Sequence, residues 1–105
     1  MGKTIEEDVY IRDGGVCYYC GQDLRNTFSV FWSFECDHVI PKLQGGQTTL
    51  DNLVLSCRSC NNLLRRCDET TRKKRKEWVL KKIEEKRSIY ERFLKRLKDE
   101  RGIEV

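Results

Sequence analysis

The sequence has no long apolar run and contains only one histidine, one proline and one methionine. No stretch approaches the ~18 consecutive apolar residues that a membrane-spanning helix needs, so a transmembrane helix is excluded. The first eight residues are polar and acidic, and no secretory signal is visible among them. We therefore expect a cytoplasmic protein with no membrane partner, encoded by a cell, a phage or a mobile element. Cysteines stay reduced in that compartment.

The chain is short, and its charge is unevenly distributed. At 105 residues it corresponds to one small domain. Residues 1–69 carry a net charge of −3, whereas residues 70–105 carry +7. A basic half is typical of a nucleic-acid-binding surface, although a solvated charged helix has the same composition. The first part is also below the ~70–80 residues at which a core alone suffices, so a metal ion or another cross-link is expected there.

Four of the six cysteines form two Cys-x-x-Cys pairs, which are Cys17 with Cys20 and Cys57 with Cys60. The two-residue gap lets both sulfurs of a pair bind one ion at ~2.3 Å, and four thiolates suit tetrahedral zinc. Two redox-active pairs are the alternative interpretation. Cys36 and Cys67 remain, and we interpret both as small buried apolar residues. Cys36 and His38 are alternative metal ligands, but their spacing suits a zinc ion less well than that of the four other thiols.

The patterns in the first two thirds of the chain predict short elements. Thr4 and Glu7 form a capping box, which predicts a helix from Thr4 to about Arg12. Residues 28–40 are rich in aromatic and β-branched side chains and are predicted to include a strand. The further predictions are a loop at 44–49, a strand at 51–56, and a short helix from Cys60 or Asn61 to about Cys67 or Asp68.

Residues 70–101 are predicted to form one long helix, because no proline or glycine occurs there before Gly102. Its apolar residues form a helical stripe, made of Val79, Ile83, Tyr90, Leu94 and Leu97. We expect this stripe to pack on the globular part, and a helix–helix seam in a homodimer is the alternative to a monomer. Trp32, Trp78 and Tyr90 are expected to be core residues.

Several short motifs follow one another in a distinctive order. They are Cys17-Tyr18-Tyr19-Cys20-Gly21, Asp37-His38-Val39-Ile40-Pro41, Gly45-Gly46, Asp51-Asn52-Leu53 and Cys57-x-x-Cys60-Asn61. In order and spacing this set resembles the zinc-stapled branch of the HNH endonucleases, whose active site is a ββα-metal finger. The resemblance covers about residues 5–67. It implies an α+β fold in which a four-cysteine zinc site staples the finger within residues 1–69. A basic amphipathic helix at 70–105 follows it.

The resemblance also implies roles for individual residues. His38 matches the general base that activates water, and Asn52 matches the asparagine that braces the loop of the finger. Asp37 and Asn61 match the ligands of a catalytic divalent cation, with Asn62 as an alternative to Asn61. One carboxylate and one amide oxygen suit Mg²⁺ or Mn²⁺.

Elementary chemistry adds three expectations about this site. A neutral imidazole has a pKa near ~6.5 and suits a general base. Neighbouring residues of a strand point to opposite faces, so Asp37 and His38 act together only if the backbone bends or they reach different sides of the phosphate. Asn61 at a helix start would also place backbone N–H groups near the anion.

A cluster of cations is expected to contact the phosphate backbone of nucleic acid. Its members are Arg58, Arg65, Arg66, Arg72, Lys73, Lys74, Arg75 and Lys76. The sequence therefore predicts a metal-dependent endonuclease that nicks or cuts DNA. Two rival interpretations remain, a nucleic-acid-binding zinc module without catalysis and a zinc-stapled interaction or redox adaptor. The choice between DNA and RNA, the cleavage sequence and the biological role stay open.

Overall fold

A computed structural model describes residues 2–104 and shows a small α+β protein with a two-stranded sheet and a long C-terminal helix. The helices and strands are α1 Ile5–Arg12, α2 Phe28–Trp32, β1 Glu35–His38, β2 Leu53–Ser56, α3 Arg58–Leu63 and α4 Arg72–Arg101. Single 3₁₀ turns lie at Lys42–Gln44, Leu50–Asn52 and Leu64–Arg66. Within the described residues no helix is both long enough and apolar enough to cross a bilayer.

The ends of the first and last helices follow their capping residues. The Thr4 hydroxyl accepts a hydrogen bond from the backbone N–H of Glu7 at 3.1 Å, so α1 begins where the capping box predicted. Thr71 caps α4 in the same way, through the N–H of Lys74 at 3.3 Å. Gly102 ends α4 with a φ of 65°, a left-handed conformation that glycine adopts without steric cost.

The sheet pairs β1 with β2 in antiparallel register, with Glu35 opposite Ser56 and His38 opposite Leu53. All four residues of β2 are buried, which makes this strand the centre of the core. Side chains alternate along a strand, so Glu35 and Asp37 lie on one face of β1 and Cys36 and His38 on the other.

The aromatic segment at residues 28–40 folds differently in its two halves. Only its second half contributes a strand, whereas Phe28–Trp32 forms α2 because the Thr27 hydroxyl caps it through the N–H of Val30 at 3.2 Å. Phe28 and Trp32 stack on each other with ring centroids 5.8 Å apart. Trp32 is 75% exposed, so its prediction as a core residue was wrong. Helical spacing pairs it with Phe28 on the surface instead of turning it inward.

The helix α4 packs on the core only through its first three turns. Val79 is fully buried there, and Trp78 and Ile83 pack partly against the core. Beyond Ile83 the helix extends away from the domain, and Tyr90 is 58% exposed. The predicted apolar stripe therefore packs at Val79 and Ile83 alone, and the prediction of Tyr90 as a core residue was wrong. The domain is too small to cover a helix of 30 residues, about 45 Å in length.

The connection between the strands is braced by Asn52. Its side-chain amide donates to the carbonyl oxygens of Ile40, at 3.0 Å, and Gln47, at 2.9 Å. Its amide oxygen accepts from the N–H of Ile40 at 2.9 Å. Gly46 lies inside this braced loop and donates its N–H to the Pro41 carbonyl at 2.9 Å. A Cβ atom at Gly46 would overlap the backbone carbonyl of Ile40.

Replacing Gly46 by alanine is expected to destabilise the fold by about 3 kcal/mol, because the overlapping atom belongs to backbone that three Asn52 hydrogen bonds hold in place. Gly45→Ala is the matched control. Its Cβ would meet open space, and only the left-handed backbone at φ 87° costs about 1–2 kcal/mol. Urea unfolding of the two variants measures both changes. Equal losses would show that the loop adjusts and that Asn52 does not fix it.

Candidate active site and metal centre

The four paired cysteines converge on one point in space. Their Sγ atoms all lie within 4.8 Å of one another, and those of Cys20 and Cys57 are 3.8 Å apart. Four sulfurs around a tetrahedral ion at about 2.3 Å are separated by about 3.8 Å, so the spacing fits one metal ion. Cys17, Cys57 and Cys60 are buried, while Cys20 is exposed at the edge. The four cysteines could therefore hold a metal ion.

Backbone hydrogen bonds carry each Cys-x-x-Cys pair to this point. The N–H of Tyr18 donates to the Leu55 carbonyl at 2.8 Å, which fixes the first pair beside the end of β2. The second pair follows β2 directly, and the Cys57 Sγ atom caps α3 by accepting from the N–H of Cys60 at 3.4 Å. Gly21 closes the first turn with a φ of 79°.

The four thiols of the cluster shift one another's pKa values in opposite directions. Hydrogen bonds from Cys20, Cys57 and Cys60 lower the pKa of Cys17, whereas hydrogen bonds with Cys17 and Cys20 raise the pKa of Cys57 and of Cys60. Cys36 differs from these four residues, because burial raises the pKa of its thiol to about 11. Burial also raises the pKa of Cys67, and neither residue belongs to the cluster.

His38 lies at the end of β1, where the connection to β2 begins. Its side chain is half-buried, and its Nε2 atom is 2.9 Å from the Thr48 hydroxyl. Burial lowers the pKa of His38 from 6.5, the positive charge of Lys42 lowers it further, and Asp37 opposes both effects. The imidazole is therefore neutral at pH 7, which is the form that accepts a proton.

Asp37 points to the other face of β1 and is buried in a charged network. The Nη2 atom of Arg75 donates to its two carboxylate oxygens at 2.9 and 2.8 Å. The Tyr19 hydroxyl also donates to Asp37, and the Nε atom of Arg75 donates to Tyr19 at 3.3 Å. Asp37 is 7% exposed and Arg75 is 2% exposed. The network joins the first cysteine pair, β1 and α4.

The charges of this network stabilise one another. Burial opposes the charge of Arg75, but the hydrogen bond with Tyr19 and the charge of Asp37 outweigh it and raise the pKa of Arg75. Burial and the neighbouring charge of Asp37 raise the pKa of Tyr19, so its hydroxyl remains a donor. Arg75 was predicted to lie on a phosphate-binding surface. Its burial contradicts this prediction, because Asp37 draws the guanidinium into the core.

Asn61 contacts a carboxylate that sequence reasoning did not single out. Its Nδ2 atom donates to the carboxylate of Glu35, which shares a face of β1 with Asp37. The helix α3 begins at Arg58, earlier than predicted, because Cys57 caps it. The N–H of Asn61 consequently bonds to the Cys57 carbonyl at 3.0 Å and does not face an anion site as expected. Asn62 is exposed and lies on the groove between α3 and α4.

The remaining predicted cations divide into exposed and engaged side chains. Arg58, Arg65, Arg66, Lys73 and Lys74 are exposed. Arg72 is half-buried and donates to the Asp51 carbonyl at 2.6 Å. Lys76 is half-buried with its ammonium 5.0 Å from the centre of the Tyr18 ring. The freely available charge therefore lies on α3, the following 3₁₀ turn and the first turn of α4.

Sequence reasoning missed Tyr19, Glu35 and Thr48. Glu35 had a usable signal, since it lies two residues before Asp37 and therefore on the same face of a strand. Tyr19 and Thr48 had none, because each reaches its partner across a separation of ten or more residues. Nothing local marks such a contact.

Comparison with known proteins agrees with this architecture. No curated protein matches the sequence significantly. The family model described as HNH endonuclease matches residues 17–73, which is more than half of the chain and includes both cysteine pairs, β1, β2 and α3. The chain therefore belongs to the HNH endonuclease family.

Proposed function

We propose that the protein is a metal-dependent endonuclease that hydrolyses phosphodiester bonds of DNA, by nicking or cutting, with His38 as the general base. The observation that carries this proposal is the environment of His38. In a chain of the HNH endonuclease family, its only imidazole is neutral at pH 7, half-buried, and held at the end of β1 by Thr48. A general base needs the unprotonated form and a fixed orientation.

The proposed reaction begins with proton transfer to His38. When the Nε2–H group donates to Thr48, the Nδ1 atom carries the lone pair and takes the proton from water. The resulting hydroxide attacks phosphorus and forms the new P–O bond, the P–O bond to the leaving oxygen breaks, and that oxygen departs with the electron pair and takes a proton from solvent. Asn52 contributes indirectly, because it fixes the loop that carries Thr48.

Asp37 and Asn61 are the proposed ligands of the catalytic cation. Both belong to elements that meet at one face of the sheet, where Glu35 also contacts Asn61. Carboxylate and amide oxygens suit Mg²⁺ or Mn²⁺, which would neutralise charge on the scissile phosphate. The amide oxygen of Asn61 remains available, because its contact with Glu35 uses the amide nitrogen.

One observation favours a second candidate, a nucleic-acid-binding zinc module without catalysis. The Asp37 carboxylate is buried and accepts hydrogen bonds from Arg75 and Tyr19, so its negative charge is already matched. A protein with this function would bind DNA and leave it intact. Cleavage assays distinguish the two candidates directly.

His38→Ala is expected to reduce nicking of supercoiled plasmid by about 10²–10⁴-fold in Mg²⁺ or Mn²⁺, because it removes the proton acceptor. DNA affinity and melting temperature should change little, since the side chain is only half-buried. Thr48→Val serves as a partial control, because it keeps the base and removes only its orienting contact. The endonuclease proposal fails if wild type leaves the plasmid intact in both cations, or if His38→Ala cleaves at the wild-type rate.

We propose zinc as the ion of the four-cysteine cluster. The donor set is four cysteine sulfurs within 4.8 Å of one another, a set of ligands that zinc shares with iron–sulfur sites. When bound, zinc supplies cross-linking and no chemistry, since four protein ligands close its coordination shell.

Cys60→Ser is expected to lose zinc and the cooperative thermal transition, because small metal-stapled domains fold only with the ion. Cys36→Ser is the matched control and should retain one zinc per chain, since Cys36 lies outside the cluster. Elemental mass spectrometry and far-UV circular dichroism measure the two properties. Iron in the purified protein, or one zinc per chain in Cys60→Ser, would refute the assignment.

The exposed cations on α3, the following turn and the start of α4 form the proposed DNA surface, which consists of Arg58, Arg65, Arg66, Lys73 and Lys74. Replacing Lys73 and Lys74 together by glutamine should weaken binding equally for unrelated sequences. It should also lower the slope of log K against log salt concentration by about 1.8, since each phosphate contact contributes about 0.9. The control is Lys81→Gln with Lys98→Gln, two exposed lysines further along α4. Equal effects in both pairs would place the DNA elsewhere on the helix.

A further inference from the structure

Arg75 links the long helix to the site at its most buried point. Its guanidinium donates to both carboxylate oxygens of Asp37, to the Tyr19 hydroxyl and to the Glu69 carbonyl at 3.0 Å. The side chains of Arg75 and Asp37 are 3% and 8% exposed, so water screens their attraction weakly. Arg75 also lies two residues beyond the segment that matches the HNH endonuclease family. The contact therefore joins a residue outside the matched segment to Asp37 within it.

The charge of Arg75 has a direct consequence for a cation at Asp37. A carboxylate that already faces a guanidinium has little net negative charge to offer, and a divalent cation beside it is repelled by Arg75. Without Arg75, Asp37 would be a buried carboxylate with no cationic partner, a costly state that a bound cation relieves. The same guanidinium also fixes the rotamer of Asp37, because it contacts both oxygens of the carboxylate.

We propose that Arg75 is a positioning residue that holds Asp37 in place and weakens the affinity of Asp37 for a divalent cation. Through Arg75, α4 then sets the concentration of divalent cation that the site needs. The inference depends on the proposed function in one respect, namely that Asp37 is a cation ligand. The first turn of α4 then acts in two ways. Lys73 and Lys74, on the exposed side of α4, belong to the proposed DNA surface, while Arg75, on the buried side of α4, acts on the cation site.

The test measures Mn²⁺ binding directly, by electron paramagnetic resonance of the free ion, with zinc-loaded full-length protein and no DNA. Arg75→Gln is expected to bind Mn²⁺ about tenfold more tightly than wild type, and Arg75→Lys, which keeps the charge, within about threefold of wild type. Lys81→Gln removes an exposed charge from the same helix and should also stay within threefold. Asp37→Asn should abolish binding. Equal or weaker binding by Arg75→Gln would overturn the proposal.

A second measurement uses wild-type protein and does not depend on the folding of any variant. The Nε–H group of Arg75 is buried against Tyr19, so its NMR signal should shift on addition of Mg²⁺ and saturate with the binding curve. The signal of Arg25, an exposed residue paired with Asp23, should not move. An Arg75 signal that stays fixed at saturating Mg²⁺ would overturn the proposal. Tighter Mn²⁺ binding by Arg75→Gln without plasmid cleavage by wild type would uphold it while refuting endonuclease activity.

Discussion

The convergence of four thiols is the constraint on which the rest of this structure depends. The two cysteine pairs are separated by 36 residues, and these residues contain α2, both strands and the braced loop. A two-stranded sheet is marginally stable by itself in water. Joining its flanking segments at one point closes the loop of chain around it. The helix α1 then packs on the fully buried β2, and α3 packs against β1. A metal ion held at this point would therefore replace the larger core that the short domain does not have.

The same constraint extends from the cysteines to the charged network. Tyr19 lies between Cys17 and Cys20, so the turn that delivers two sulfurs also delivers the hydroxyl that contacts Asp37. Arg75 completes the network from α4. A buried ion pair adds little net stability, because desolvation of both charges offsets their attraction. Its effect is on geometry, since a carboxylate with two donors has few alternative rotamers, and a helix with one buried arginine has a defined register against the sheet.

Local patterns in the sequence predicted what depends on local contacts. The capping threonine Thr4, the stop at Gly102 and the two cysteine pairs each act within a few residues, and the structure places all of them as expected. The predictions that were wrong or missing involve contacts between residues that are far apart in the sequence. Arg75 resembles its exposed neighbours in sequence, and only the position of Asp37, 38 residues earlier, explains its burial.

The errors at Trp32 and Tyr90 have a different origin. Hydrophobicity predicts that a side chain favours burial, but burial also requires a surface that covers it. The helix α4 is longer than the small domain can cover, and α2 lies at the surface of the domain. Apolar residues therefore remain exposed on both helices. Composition cannot reveal this limit, because it depends on how much area the rest of the chain provides.

The alternation of β1 divides the proposed chemistry between two faces of the sheet. His38 and its partner Thr48 lie with the loop that Asn52 braces, whereas Asp37 lies with Tyr19 and Arg75. The proposed base His38 is thus oriented by the connection between the strands, and the proposed cation ligand Asp37 is oriented by the cysteine turn and α4. Each of the two groups therefore has its own set of side-chain contacts. The backbone of β1, which pairs with β2, is the element that both halves share.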